Sequence, residues 1–348
     1  MSLPTFSVLL LNYNQEPYIE RVLQAILSQS LRPDEIIIID DGSNDNSIET
    51  IHRILKKEPW VRFIQNEKNR GVNYTATRII NEATCEYFHT IGVDDLMLPG
   101  FYEKSINLLS QYPQAALCSA IVQCEDIEGK ILNLNPAPPY PSGTGVFLSP
   151  DEILSVYKKY GTWYCGTSAI WRREALLASG GFGPAELGSL VDTIKFFELG
   201  FKYGVCFCPE ILHTWTVSAF SYSATARLDP SLALGLHNRA EAIITNHPED
   251  IFPSGFLEEF RGQEFATFGN TVFNKMDSDQ SNSLSLLEQA FTEINFADRF
   301  VIVLSKSLMR LHKLSLQIYL GFRLRRFNGV FLIRMLYHFK DCLKKLIK

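Results

Sequence analysis

Two pairs of adjacent carboxylates stand where an open α/β sheet would gather them. Asp40-Asp41 follows the apolar run Glu35–Ile39, and Asp94-Asp95 follows the strand-like stretch Glu86–Ile91. A third stretch of the same kind, Phe6–Leu11, ends at Asn12, Tyr13 and Asn14. In an open parallel sheet, ligands bind outside the carboxyl ends of the strands. Four carboxylates and a tyrosine on one edge would repel one another and raise some pKa values. A divalent cation relieves that repulsion, and hard oxygen ligands suit Mn2+ or Mg2+. A cation held this way in turn suits a pyrophosphate ligand. Each pair also has a plainer reading: Asp40-Asp41-Gly42-Ser43 as a turn and helix cap, Asp94-Asp95 as a solvated loop. Their joint placement at matching strand ends favours the site.

The elements that would position these residues alternate. Strands are expected at 6–11, 35–39, 61–65, 86–91 and 115–122. Helices are expected from Pro17, over 45–57, near 73–83 and over 99–112. This alternation predicts a mostly parallel sheet flanked by helices. The four prolines of Asn133–Gly145 predict an irregular loop. Beyond it, the pattern predicts a helix from Ser149, a strand over 167–171 and a Gly180-Gly181-Phe182 turn. A short helix over 191–199 and strands at 203–208 and 211–216 follow. After about Ser221 the periodicity is helical: 230–246, 255–274, 283–294, 297–326 and 330–347.

Competing motifs are missing. No Gly-x-Gly-x-x-Gly follows the first strand, and no Gly-x-Ser-x-Gly elbow occurs. Gly161–Thr167 has the glycine spacing of a P-loop but no lysine before the threonine. The 7 cysteines are odd in number and scattered, so neither a disulfide framework nor a zinc site is expected. Cys206 and Cys208 read as core thiols, and His213 as a structural histidine.

The order of motifs carries a resemblance. Ser7–Ser47 contains Tyr13-Asn14, Ser28-Gln29 and Asp40–Asp45. Asn69-Arg70-Gly71, Asp94-Asp95 and the block Arg172-Arg173…Gly180-Gly181-Phe182…Val191-Asp192 follow. Over about residues 5–220 the chain resembles the family-two glycosyltransferases of the GT-A fold. The resemblance implies a Rossmann-like sheet with a C-terminal helical appendage, and inverting transfer from a nucleotide-sugar donor, UDP-linked, to an acceptor hydroxyl on a glycan or lipid-linked molecule. It implies that Asn12, Tyr13, Asp40, Asn69 and Asp94 bind the nucleotide sugar. It further implies that Asp94 and Asp95 hold Mn2+ or Mg2+ and that Asp192 is the catalytic base. A carboxylate opening a helix gains from the helix dipole, which favours its ionised form. The sequence departs from the family's usual residues at Leu11, Thr77, Ile79, Cys85 and Val191, positions that bear on donor choice. A sugar nucleotidyltransferase would need a Gly-rich basic loop after the first strand, which Asn12–Pro17 lacks. A non-catalytic nucleotide-sugar scaffold would not need Asp94, Asp95 and Asp192 together.

With 33 Lys+Arg and 38 Asp+Glu the net charge is −5, yet residues 299–348 hold 12 basic residues and a single acid, Asp341. An acidic body and a basic tail point away from nucleic acid and toward an anionic membrane surface. Residues 330–347 place apolar side chains on one helical stripe, which suits an interfacial helix or packing against a second subunit. No run of about 18 uncharged apolar residues and no leader pattern occur. The reading is therefore a cytoplasmic protein, peripheral on the inner face of the cell membrane. It has a catalytic domain over 1–220, a helical region over 221–348 and the prospect of a homo-oligomer.

Overall fold

The computed structural model describes residues 3–134, 138–218 and 229–263. They fall in two compact units: one holds the described residues up to 218 together with 246–254, the other holds 229–245 and 255–263.

The first unit opens with β1 (Phe6–Asn12), α1 (Glu16–Leu27), β2 (Glu35–Asp40), α2 (Ser47–Leu55), β3 (Arg62–Gln65), α3 (Val72–Glu82) and β4 (Tyr87–Gly92). Next come β5 (Leu96–Met97), α4 (Phe101–Gln111), β6 (Leu117–Glu125), β7 (Ile131–Leu134), β8 (Val146–Leu148), α5 (Pro150–Tyr160), β9 (Ile170–Arg172) and α6 (Arg173–Ala178). It closes with α7 (Val191–Tyr203) and β10 (Val205–Thr216). The second unit contains α8 (Pro230–Thr245) and a helical stretch over 256–263.

One mixed sheet runs β3-β2-β1-β4-β9-β6-β10-β5, with β7 on β6 and β8 on β10. Its longest ladders, β1 with β2 and β4, and β6 with β10, are parallel. Ile36, Ile37, Ile38 and Ile39 are all fully buried. A continuous apolar run of this kind is what a strand covered on both faces requires, and each such side chain contributes roughly 1.5–3 kcal/mol on burial. On α1, Pro17 stands in the first turn and Ile19, Val22, Leu23 and Ile26 form the buried stripe. Ser149 and Glu152 close a capping box at the start of α5, as the sequence Ser-Pro-Asp-Glu suggests.

The register brings the strand ends level. Asn12 lies opposite Asp40, and Leu11 opposite Gly92. On the other half of the sheet Thr216 lies opposite Glu125.

Several expectations change. The strand expected over 167–171 is a 3₁₀ turn, Gly166–Ser168, followed by the short β9. Here Ser168 turns inward to bond Ser119 and the Ala120 carbonyl. The strands expected at 203–208 and 211–216 are one strand, β10, with register shifts between Cys208 and His213 that absorb Pro209 and Glu210. The helix expected over 191–199 continues to Tyr203. The irregular loop begins later than expected, because 131–134 pairs with β6. The short elements β5, β8 and α6 carry no periodicity of their own. The helices expected over 283–294, 297–326 and 330–347, and the basic stretch 299–348, lie outside the described residues, as does 264–274. No helix among the described residues is long and apolar enough to cross a membrane.

Candidate active site

The carboxyl edges of β1 and β2 form one half of the site. Asn12 ends β1 with its side chain buried, and its Nδ2 donates to Asp40 Oδ2 at 2.7 Å and to Ser43 Oγ at 3.2 Å. Asp40 is fully buried; Ser43 donates its backbone N–H to Oδ1 at 2.9 Å and its hydroxyl to Oδ2 at 2.5 Å. Asp41, also buried, accepts from the backbone N–H groups of Arg70 and Gly71, each at 2.9 Å, and from Asn66 Nδ2 at 2.6 Å. It thereby pins the loop over 66–71. That loop lies so close that a Cβ on Gly42, at φ +74, would stand 2.6 Å from the Lys68 backbone. Asn69 is exposed on this loop, and its Oδ1 accepts from the Gly71 N–H at 2.9 Å. Tyr13 stands at the rim with 40% of its surface exposed.

The second half lies past β4. Asp94 is partly buried and Asp95 almost wholly. Desolvation raises the pKa of Asp94, against weaker opposing help from its own backbone, Gln15 and Arg21. Asp95 is pushed well above the usual carboxylate range, first by burial and then by the charge of Asp94. Thr216, at the end of β10, donates its N–H to Asp95 Oδ1 at 2.9 Å and its hydroxyl to the Asp94 carbonyl at 2.6 Å. Arg21 Nη2 donates to the same carbonyl at 3.0 Å.

Asp192 opens α7. Its Oδ1 accepts the Thr193 N–H at 2.8 Å. The residue keeps some exposed surface, but its carboxyl group is enclosed. Burial raises its pKa to about 6, outweighing the backbone N–H groups and the neighbouring hydroxyls of Tyr164 and Thr193. The dipole expectation is thus overruled by desolvation. The Tyr164 hydroxyl, itself buried, feels the Asp192 charge without closing a hydrogen bond of ordinary geometry. Gly166 backs directly onto the carboxylate: a Cβ there would meet Asp192 Oδ2 at 1.9 Å.

Cys165 lies in the same turn, with its Sγ 3.5 Å from Thr167 Oγ1. Its thiol, pushed up to about 12 chiefly by burial, also feels the charges of both Asp192 and Asp95. The structure closes the turn at Gly166 on the Asp192 carboxylate. Asn12 and Asp40 sit on the adjoining strand ends, and Asn69 lies on the loop held by Asp41. His213 stays out of the cluster. It is fully buried, its ring packs edge-on to His89 at 5.7 Å, and neither ring nitrogen has a hydrogen-bond partner. Among the described residues no three His, Cys, Asp or Glu side chains converge as a metal site. Asp94 and Asp95 offer two carboxylates, and a ligand and water would have to complete the shell of any cation.

Four contributors escape the sequence reading. Ser43 had a local signal, three residues after Asp40 in an Asp-Asp-Gly-Ser turn. Arg21, Thr216 and Gly166 had none, because each meets its carboxylate or backbone partner across a long sequence separation.

Residues 7–177 match the family model described as Glycosyl transferase family 2. Over that stretch, just under half of its length, the chain is similar to glycosyl transferase family 2. Among relatives, an uncharacterized glycosyltransferase of Haemophilus influenzae is 30% identical over 134 residues, 38% of this chain and 53% of that one. The amylovoran biosynthesis glycosyltransferase AmsE of Erwinia amylovora is 30% identical over 128 residues, 36% and 48% of the two chains. The chain thus spans about half the length of these relatives. Two solved glycosyltransferases share the fold. S. aureus TarS 1-349 superposes with a TM-score of 0.58 at 16% identity, covering 89% of this chain and 86% of that one. The mannosyltransferase PcManGT from Pyrobaculum calidifontis, solved with GDP-Man and Mn2+, gives 0.54 at 17% identity, covering 83% and 80%. TarS has also been solved with UDP-GlcNAc. The GT-A expectation for the fold is met.

Proposed function

We propose that this chain is an inverting glycosyltransferase. It moves a sugar from a nucleoside diphosphate donor, UDP-linked, to an acceptor hydroxyl in the making of a cell-surface polysaccharide or a lipid-linked glycan. The observation that carries the reading is geometric: Asn12 and Asp40 face each other across the β1–β2 register, Asp94-Asp95 follow β4 on the other side of β1, and Gly166 closes directly on the Asp192 carboxylate.

The donor set fits a hard divalent cation. Asp94 and Asp95 are adjacent, partly desolvated and mutually repelling, a state that Mn2+ or Mg2+ relieves. When bound, such a cation stabilises the charge that builds on a departing diphosphate. The protein's own residues do the rest. Asn12, Tyr13, Asp40 and Asn69 frame the place for base and ribose at the ends of β1 and β2 and on the pinned loop. Thr216 and Arg21 fix the Asp94-Asp95 backbone, so both carboxylates keep their aim. Asp192 accepts the acceptor hydroxyl's proton as that oxygen attacks the anomeric carbon. A base whose pKa lies near 6 is ionised at neutral pH yet basic enough to take the proton. The UDP-GlcNAc and GDP-Man complexes of the two structural neighbours support a nucleotide-sugar donor, and the Mn2+ of the second supports the cation. The amylovoran relative supports a role in polysaccharide synthesis. Catalysis resides in residues 1–220, with 221–348 as an appendage. Its basic stretch over 299–348 draws the protein to the anionic inner face of the cell membrane.

The test is a panel of nucleotide sugars, scored by thermal shift with and without Mn2+ and then by release of free nucleoside diphosphate. A true donor raises stability by mass action, and only in the presence of the cation. Equal shifts with excess chelator would remove the metal from the reading. Binding without any release in the presence of a broad acceptor mixture would favour a scaffold over an enzyme.

A further inference from the structure

The turn that backs Asp192 is held from behind by a buried histidine. His89 lies in the middle of β4, the strand that ends at Asp94-Asp95, and none of its surface is exposed. Its Nε2 lies 2.7 Å from the Thr167 carbonyl, and its Nδ1 lies 3.1 Å from the Tyr102 hydroxyl on α4. A carbonyl only accepts, so Nε2 carries the proton. Nδ1 is then the acceptor, and the Tyr102 hydroxyl donates to it. Burial depresses the His89 pKa to about 4, so the ring is neutral and holds this one tautomer at neutral pH. The other face of the turn is tied to β6, where the Ser168 hydroxyl meets Ser119 Oγ at 2.9 Å and the Ala120 carbonyl at 3.3 Å. Between these two anchors sit Cys165 and Gly166. Cys165 Sγ lies 3.5 Å from Thr167 Oγ1, and Gly166 leaves no room for even a methyl group before Asp192 Oδ2.

We propose that His89 is a positioning residue for Asp192: through the chain Tyr102 hydroxyl, His89 ring, Thr167 carbonyl, it fixes the Tyr164–Ser168 turn against the Asp192 carboxylate. One strand thereby sets both halves of the reaction, with Asp94-Asp95 at its end and the wall of the base pocket from its middle. His89 touches neither donor nor acceptor. Its effect comes from keeping Gly166 closed on the carboxylate. A loosened turn admits water, and water both stabilises the ionised form and lets the carboxylate wander from the attacking oxygen. Misplacement by about 1 Å is enough to cost on the order of 10²-fold in rate.

The proposal rests on the reading of Asp192 as the base, and the experiment separates the two. His89→Leu removes the donor to Thr167. His89→Gln keeps a side-chain N–H of similar reach. Tyr102→Phe removes the far end of the chain and leaves the ring in place. Each is made in the full chain and assayed with Mn2+ for melting temperature, donor KM, kcat and the pH profile of kcat/KM. His89→Leu should hold donor KM within about twofold while kcat falls about 10- to 100-fold. Its acid limb should move below about pH 6, toward the ordinary carboxylate range. His89→Gln should recover most of kcat, and Tyr102→Phe should fall between the two. In an Asp192→Asn background, His89→Leu should add little further loss, because it acts through the group already removed. Where His89→Leu does not fold, the Tyr102→Phe and His89→Gln profiles decide the matter by the same limb and the same kcat. Unchanged kcat and acid limb in a folded His89→Leu or Tyr102→Phe protein overturns the role of His89 and leaves Asp192 untouched. Full turnover in Asp192→Asn alone removes the base reading instead.

Discussion

The chain carries two Asp-Asp pairs at the ends of β2 and β4, the parallel strands on either side of β1, and they have opposite fates. Asp40 and Asp41 are surrounded by donors: Ser43 and Asn12 on the first, the Arg70 and Gly71 N–H groups and Asn66 on the second. Their negative charge goes into holding a turn and a loop. Asp94 and Asp95 also lie in low-dielectric surroundings but collect few donors. Burial pushes both upward; for Asp95 the charge of Asp94 adds to it, and the hydrogen bond from the Thr216 N–H only partly offsets this. The first pair builds the frame, and the second stores charge that only a cation or a proton can relieve. Two identical dipeptides at equivalent strand ends therefore do different physical work, decided by how many N–H and O–H groups the fold aims at them.

Substitutions can break this contrast. Asp95→Ala should remove cation-dependent donor binding and lower transfer by about 10³-fold, because several kcal/mol of leaving-group stabilisation go with the cation. Calorimetry of UDP binding with and without Mn2+ measures the first effect. Asp95→Ala that still binds UDP in a cation-dependent way would move the site elsewhere. Asp41→Asn should act on the frame. The amide keeps one acceptor oxygen where the carboxylate had two, so one of the Arg70, Gly71 or Asn66 donors loses its partner, at roughly 1–3 kcal/mol. Thermal denaturation should show the loss, with the cation dependence of binding retained. A collapse of cation dependence in Asp41→Asn would erase the distinction between the pairs. The smallest effect is expected at His213, whose two ring nitrogens are buried without partners. His213→Leu removes an unsatisfied group, so melting temperature should hold or rise slightly while transfer stays near the parent value. A large loss of activity there would make His213 part of the chemistry.

Much of this was legible in the chain. Phe6–Leu11 and Glu35–Ile39 are continuous apolar runs, and both are central parallel strands. The residues after them, Asn12 and Asp40, do face each other across the register. What could not be read is which carboxylate would be satisfied. The donors to Asp41 come from 25 to 30 positions away, and the Thr216 N–H that meets Asp95 is 121 positions away. Helix polarity alone misjudged Asp192 for the same reason. The turn over 164–168 that encloses it arrives from an earlier part of the chain, and desolvation outweighs the dipole. Short elements such as β5 and β8 escaped because two or three residues carry no periodicity, and they exist only because the longer β10 offers them a partner.

Asp192 offers the most direct test, since the account gives it a raised pKa and a proton to accept. Asp192→Asn keeps size and shape and removes the charge together with the ability to take that proton. The parent's folded-state pKa, about 6, lies above the ordinary value of 3.8, so burial of the ionised form costs stability as pH rises between them. The variant should therefore melt above the parent at pH 7 to 8, with the gain fading as pH falls toward 4. It should bind the nucleotide sugar with Mn2+ as the parent does and lose transfer to the true acceptor by about 10²–10⁴-fold. A variant that binds donor normally and still transfers at the parent rate would show that the base is another residue.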